Sequence, residues 1–169
     1  KTAIENNYLS EYYYYPRTVE LTDEEMEEYE KISRQILFYY NKNNSALDHS
    51  NEQVKDLLLK RKRIIHKAYF KKDMFREILS ELTSENPNLK YLLVFVPEGR
   101  QTAYESEYYN LIDEYSSIID GEYNLKQHQF IGLTKNRHEV IKSFTDGKIS
   151  AITAMKCLDE GIDIKRAEF

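Results

Sequence analysis

The spacing of hydrophobic positions divides the chain into a helical first half and a second half in which short apolar runs alternate with helices. Within residues 22–82, apolar and aromatic residues recur every three to four positions, which predicts amphipathic helices. A capping box formed by Thr22 and Glu25 marks the start of the first helix. The later helical stretch, residues 51–82, is either one helix or two helices separated near residues 71–73.

The second half predicts a parallel sheet. The apolar run at 91–96 has the pattern of a strand buried on both faces, and further strands are predicted at 129–133 and 149–154. A helical pattern covers 108–121, and Thr134 is placed to cap a second helix. This alternation predicts right-handed crossovers and helices on both faces of the sheet, with ligands bound at the carboxyl ends of the strands.

A lead-in strand is predicted before the first helix. Tyrosines and β-branched residues favour an extended strand at 11–21, which Pro16 confines to an edge or a bend. Tyr12 to Tyr15 can pack along that edge, which we expect, or stack on bases. The predicted organisation is a lead-in strand segment at 1–21, a helical segment at 22–86 and an α/β domain at 87–169.

Composition and charge narrow the class of protein. The chain has 169 residues, of which 41% are hydrophobic and 31% charged, a balance typical of one soluble domain. The single cysteine, Cys157, excludes an internal disulfide, so we expect a reducing cytoplasm. No apolar run approaches the roughly 20 residues that span a bilayer, so no membrane partner is expected. Because the chain begins with Lys1 instead of methionine, we expect it to be a piece of a longer protein.

Candidate chemistry lies in the loops that follow the predicted strands, and the second of these loops carries residues suited to binding phosphate. Pro97 and Gly99 follow the first strand in LLVFVPEG, while Thr134 and Arg137 follow the second. A helix N-terminus presents free N–H groups to a phosphate, and arginine can donate a bidentate pair. Taken alone, Thr134 could equally be an N-cap and Arg137 a surface charge.

The third loop follows the last strand and contains LDEGID, with Glu160, Gly161 and Asp163, after Met155 and Lys156. In order and separation, the three loops resemble motifs of the second RecA-like domain of superfamily 2 helicases, motif IV for the first loop and motif V for the third. The LDEGID form is similar to relatives of DNA-repair helicases and of restriction-enzyme motor subunits. The lead-in run is similar to the segment that enters this domain in repair-type and remodelling-type motors.

The resemblance implies an α/β fold, a three-layer αβα RecA-like domain with a parallel sheet, preceded by a helical segment. It also implies site residues. Glu160, Gly161 and Asp163 would approach a nucleotide in the cleft between two RecA-like domains. The residues implied to contact a nucleic-acid backbone are Pro97, Gly99, Thr134, Arg137, Met155 and Lys156. Since Met155 and Lys156 stand where the DEAD-box pattern has a Thr-Asp pair, DNA is the expected partner and RNA is disfavoured.

A basic run at 60–63, extended by Lys67, Lys71 and Lys72, lies on a predicted helix. Arg61 and Arg63 are candidates for contact with phosphates, because each neutralised phosphate strengthens binding to duplex DNA. The alternative is a solvated face that balances the acidic first helix, and the sequence leaves both open.

Missing motifs limit the activity of the chain itself. The sequence contains no GxxxxGK[ST] phosphate loop, no Walker B acid pair and no motif VI arginines. We therefore expect no catalytic residues, and expect ATP and Mg²⁺ to bind only together with an N-terminal RecA-like ATPase domain. One alternative is a non-catalytic nucleic-acid-binding or scaffolding RecA-like module. Another is a stand-alone flavodoxin-like or phosphatase-like enzyme, which requires a phosphate-binding loop after the first strand, where PEGRQTA is a poor one.

Overall fold

A computed structural model of the chain describes residues 13–42, 50–97, 100–103, 107–132 and 134–155. The helices are α1 (Asp23–Lys42), α2 (Glu52–His66), α3 (Lys71–Glu85), α4 (Leu111–Ser117) and α5 (Arg137–Thr145). A π-helical turn, Ile118–Glu122, continues α4. The strands are β1 (Leu92–Phe95), β2 (Arg100–Ala103), β3 (Glu107–Asn110), β4 (Gln127–Phe130) and β5 (Ala151–Ala154). None of the helices described here is both long and apolar enough to cross a bilayer.

Three strands form a parallel sheet in the order β1-β5-β4. Their last residues are level with one another, because Phe95 and Phe130 both pair with Ala154. The predicted parallel sheet is therefore confirmed. A second, antiparallel sheet consists of β2 and β3 and lies between β1 and α4 in the chain.

Helices cover both faces of the parallel sheet. All four residues of β5 are buried, as expected for a central strand with a helical layer on each side. On one face, α3, α4 and the π-helical turn pack on the sheet through Leu79, Leu111, Ile118 and Ile119. On the other face, α5 packs through Val140 and Phe144 against Phe130, Ile152 and Ala154. The fold is thus a three-layer α/β architecture, as predicted.

The first helix begins as the capping box predicts. The Glu25 N–H donates to Thr22 Oγ1 at 3.2 Å, and the Thr22 N–H donates to Glu25 Oε2 at 3.0 Å. Glu25 also accepts a hydrogen bond from the Tyr69 N–H at 2.9 Å. Tyr69 lies between α2 and α3, so the second helical stretch is two helices, and Glu25 ties their connection to α1.

The predicted lead-in strand is wrong. Residues 13–22 form no strand, and Tyr13 to Tyr15 are exposed instead of packed along a sheet edge. A strand requires a neighbour that supplies backbone partners, and no part of the chain that the structure describes pairs with this segment. The segment is held instead by an ion pair between Arg17 and Glu81 on α3.

Two element boundaries in the second half also differ from the sequence predictions. The helix expected at 108–121 begins at Leu111, and Tyr108 lies in β3. The strand expected at 129–133 is displaced toward the N-terminus as β4 (Gln127–Phe130), because the polar residues Gln127 and His128 do not fit the apolar pattern that predicts a strand. Among the described strands β4 has a neighbour on one side, and such a strand tolerates polar side chains.

Candidate functional site

The carboxyl ends of β1, β5 and β4 form one edge of the parallel sheet. Since the strands end level, the segments that begin at Val96, Met155 and Ile131 leave the sheet side by side. The Val96 N–H donates to the Ala154 carbonyl at 2.9 Å, which extends the pairing past β1. Neighbouring strands lie about 4.8 Å apart, so the three exits span on the order of 10 Å. This distance suits the contact of several loops with one ligand.

The loop between β4 and α5 is closed by Thr134. The Thr134 hydroxyl accepts a hydrogen bond from the Ile131 N–H at 2.9 Å, and the backbone N–H of Thr134 donates to the Ile131 carbonyl at 3.0 Å. The prediction that Thr134 caps the following helix is wrong. That helix begins at Arg137, after Asn136, whose side chain makes no capping hydrogen bond. Thr134 instead accepts a hydrogen bond from the N–H of Ile131, the first residue after β4.

Arg137 folds back onto the same loop. One guanidinium nitrogen donates to the Gly132 carbonyl at 3.2 Å, and the guanidinium carbon lies 5.5 Å from the centre of the Phe130 ring. Because Phe130 is fully buried, this contact anchors the half-buried Arg137 on the core. A guanidinium has five N–H donors, so the contact with Gly132 leaves donors for a further acceptor.

A surface cavity of about 380 Å³ adjoins this loop. Its lining residues are His128, Gln129, Ile131, Thr134, Lys135, Asn136 and Val140. The exposed Lys135 ammonium gives the cavity a positive charge, which suits an anionic group such as a phosphate. Lys135 and Asn136 were not among the predicted site residues, although their position between Thr134 and Arg137 is a signal that could have identified them.

A polar cluster lies on the α4 face of β4. The Gln129 amide donates to Asp113 Oδ1 at 2.8 Å and to Ser116 Oγ at 3.2 Å. Thr153, level with Gln129 in the sheet, is fully buried, and its hydroxyl has no hydrogen-bond partner among the described residues. Buried and half-buried polar groups therefore lie beneath α4, on the face of the sheet opposite to α5.

Several predicted site residues lie outside the described residues: Gly99, Lys156, Glu160, Gly161 and Asp163. Two others are half-buried at the sheet edge. Pro97 follows β1 closely, and Met155 follows β5 with its side chain packed against the α3/α4 core. No group of three or more acidic, histidine or cysteine side chains placed to bind a metal occurs in the described part of the chain.

The basic residues of α2 lie on a different surface. This helix packs principally on α1, and the Arg61 guanidinium carbon is 5.8 Å from the centre of the Tyr29 ring of α1. Lys60 pairs with Asp56 at 2.7 Å, whereas Arg63 is exposed. Arg61 therefore serves at least partly to join the two helices, and Arg63 is the more accessible candidate for binding an anion.

Positive charge is concentrated where α2 ends. Burial, followed by the charges of Lys62 and Lys71, lowers the pKa of His66. Burial and the charge of Arg63 lower the pKa of Lys67. Burial is the larger cause of both shifts, and the second cause, repulsion between neighbouring cations, marks a patch that an anion would stabilise.

The segment after β1 differs from what a flavodoxin-like or phosphatase-like enzyme requires. In those folds a phosphate-binding loop leads directly into a helix N-terminus. Here β2 and β3 follow β1, and the next described helix begins at Leu111. Among the described residues, no helix N-terminus directly follows β1.

The sequence and the structure were compared with known proteins. No protein-family model matches the sequence, and a comparison with curated proteins gives no match. Among solved structures, the chain is similar to one described as the crystal structure of the Pyrococcus furiosus Hef helicase domain, with 20% sequence identity and a TM-score of 0.42. The similarity covers 82% of this chain, which spans 28% of the length of that one. A similarity this low carries no information on ligands or activity.

Proposed function

We propose that the chain is the second RecA-like half of an ATP-dependent superfamily 2 DNA helicase or translocase. The observation that carries the proposal is the register of the parallel sheet, in which β1, β5 and β4 end level. The three loops that follow these strands are those whose sequences resemble helicase motifs, in their usual order. A shared edge is the arrangement required for them to act on one nucleic-acid strand and one nucleotide.

The described residues support a role in holding the nucleic-acid backbone. Thr134 and Arg137 fix the shape of the β4–α5 loop, and Lys135 supplies an exposed charge beside it. A preformed loop loses little conformational freedom on binding. In this proposal Lys135 and the remaining donors of Arg137 contact backbone phosphates. Pro97 and Met155 lie at the same edge of the parallel sheet.

The nucleotide belongs to a cleft shared with another domain. In the proposal, Glu160, Gly161 and Asp163 face ATP, and an N-terminal RecA-like domain of the same parent protein supplies the phosphate loop and the Mg²⁺ ligands. The chain alone then binds neither ATP nor Mg²⁺. Hydrolysis would move the two domains relative to each other along the DNA.

The salt dependence of DNA binding tests the backbone contacts. Labelled single-stranded and duplex DNA would be titrated at several salt concentrations with the wild type, Lys135→Gln and Arg137→Gln. The slope of log K against log salt is negative, and each lost phosphate contact should make it shallower by about 0.7 for single strands and about 0.9 for duplex. The matched control is Lys42→Gln. Lys42 is exposed at the end of α1, so this variant removes a charge that is far in sequence from Lys135 and Arg137. Unchanged slopes for both site variants would contradict the proposal.

A non-catalytic binding or scaffolding module is the second candidate. The observation in its favour is that Arg137 already bonds to Gly132 and packs on Phe130, so its role can be structural. The two candidates differ in the longer parent protein. A motor hydrolyses ATP faster when DNA is added, and Lys135→Gln reduces that stimulation, whereas a scaffold shows no turnover in either case.

A further inference from the structure

Tyr13, Tyr14 and Tyr15 are the most exposed large aromatic side chains among the described residues, at 79%, 80% and 78%. The rings of Tyr13 and Tyr15 face each other with centroids 6.5 Å apart and planes inclined by 27°. Stacked bases in DNA lie about 3.4 Å apart, so a ring held between two others requires about 6.8 Å. The distance between the two ring centroids is therefore close to the spacing of two rings that hold a third between them.

The local sequence explains why the two rings lie on the same side of the chain. Alternate residues of an extended chain point to the same side, which puts Tyr13 and Tyr15 together and Tyr14 opposite. Pro16 fixes its own backbone angle and restricts Tyr15 to an extended conformation. The ion pair between Arg17 and Glu81 then anchors this end of the segment on α3. The two rings therefore have this arrangement before a ligand binds.

We propose that Tyr13 and Tyr15 hold one unpaired base of a single-stranded nucleic acid between their rings. The inference rests on the proposed function for the class of partner and adds a second contact, distinct from the sheet edge. A base in a duplex is covered by its neighbours on both faces, so a strand with separated bases is required. Because Arg17 is already paired with Glu81, the contact is mainly stacking and depends little on salt.

Fluorescence of 2-aminopurine reports such stacking directly, because the probe is quenched when it lies between aromatic rings. The chain contains 15 tyrosines, so intrinsic fluorescence cannot isolate this pair, and the probe is placed in the oligonucleotide. The complete chain would be titrated with single-stranded DNA that carries 2-aminopurine at one internal position, and with the same strand in a duplex. The expected result for the wild type is quenching with the single strand and none with the duplex.

Substitutions then assign the quenching to the ring pair. Tyr13→Leu and Tyr15→Leu keep bulk and remove the flat ring, and each should weaken single-strand binding about fivefold to a hundredfold. Tyr14→Leu is the matched control, since that ring is equally exposed and lies on the other side. Tyr13→Trp keeps a flat ring at this position and should show the quenching that Tyr13→Leu loses. Because all three side chains lie in solvent, the variants should keep the far-UV circular dichroism and melting temperature of the wild type.

Two results would overturn the inference: wild-type quenching in both leucine variants, or an equal loss in Tyr14→Leu. The salt slope separates this outcome from failure of the proposed function. Tyr13→Leu and Tyr15→Leu should lower affinity at every salt concentration with the slope unchanged, whereas Lys135→Gln should make the negative slope shallower. An effect of the tyrosines without an effect of Lys135 retains the base contact and rejects the sheet-edge contact, and the reverse pattern does the opposite.

Discussion

Glu25 joins local and tertiary structure through one carboxylate. It completes the capping box with Thr22 and accepts the Tyr69 N–H from the connection between α2 and α3. Thr22→Ala should therefore destabilise the protein by about 1 kcal/mol, the usual loss for an N-cap. Glu25→Ala should cost more, because the Tyr69 N–H also loses its acceptor. Urea unfolding measures both free energies.

A neighbouring carboxylate controls for general charge effects. Glu27→Ala removes an exposed acidic side chain from the same helix and should change the free energy of unfolding by less than about 0.5 kcal/mol. Equal losses for Glu25→Ala and Glu27→Ala would show that the link to Tyr69 contributes nothing to stability.

His66 should make the stability of the fold depend on pH. Its pKa is lowered by burial and by the charges of Lys62 and Lys71, so the unfolded chain binds a proton more readily than the folded one. Stability is then fully present above about pH 6.5 and falls as the pH drops from there through the lower folded pKa. His66→Gln should lose less stability than the wild type between pH 8 and pH 5, measured by urea unfolding.

The same histidine tests whether the basic patch at the end of α2 binds DNA. A phosphate close to Lys62 and Lys71 would offset their charges, so the pKa of His66 should rise when DNA is added. A titration followed by nuclear magnetic resonance measures this. An unchanged His66 pKa in saturating DNA would favour the solvated-face interpretation of the basic run.

For single residues, the sequence predicted the place in the fold better than the groups that each side chain contacts. It correctly placed Thr134 after β4 and Arg137 close behind it, because a predicted strand precedes them and helical spacing follows. It could not show that Thr134 bonds to Ile131 or that Arg137 turns back to Gly132. Both contacts depend on the backbone path of the loop and on the side-chain rotamers. The residue types alone specify neither.

The turn from α5 into β5 depends on one glycine. Gly147 has a φ of +68°, its N–H donates to the Phe144 carbonyl, and the Lys148 N–H donates to the Ser143 carbonyl. These two bonds form a Schellman motif, whose left-handed position favours glycine. Gly147→Ala should destabilise the protein by about 1–2 kcal/mol, and Gly147→Asn by less.

Gly121 is the matched control for that substitution. It lies in the π-helical turn without a positive φ, and a Cβ added there meets no atom within 4 Å. Gly121→Ala should therefore be neutral or stabilise by up to about 1 kcal/mol, because alanine restricts the unfolded chain. Thermal unfolding distinguishes the two glycines. Equal melting temperatures for Gly147→Ala and the wild type would exclude strain at the turn.

Whole elements were predicted wherever burial dominates. The strands β1 and β5 and the helix α5 were identified because continuous apolar runs and helical spacing follow directly from burial on one or both faces. The hairpin of β2 and β3 was missed because Tyr108, Leu111 and Ile112 also fit helical spacing, and no glycine or proline interrupts residues 104–120. The lead-in strand failed because its sequence satisfied strand propensity without specifying a partner.

Stability should be unevenly distributed over the molecule. The four residues of β5 are buried between two helical layers and hydrogen-bonded on both sides, whereas α1 buries Ile32 and Ile36 and α2 buries Val54. Elements with few buried contacts open without global unfolding. In hydrogen exchange followed by mass spectrometry, β5 should exchange last and the α1–α2 hairpin earlier. Equal protection of both would indicate a single cooperative unit.

The chain as a whole should show no ATPase activity of its own. Cradling the β- and γ-phosphates requires a phosphate loop, and holding Mg²⁺ requires an acid pair, and the sequence contains neither motif. Phosphate release by the purified chain should equal the buffer blank with or without single-stranded DNA. Any measured turnover should be repeated with Asp163→Asn, the acid whose sequence context resembles the helicase pattern. Turnover that this variant leaves unchanged comes from a contaminant, whereas turnover that it abolishes would contradict the assignment of the chemistry to a second domain.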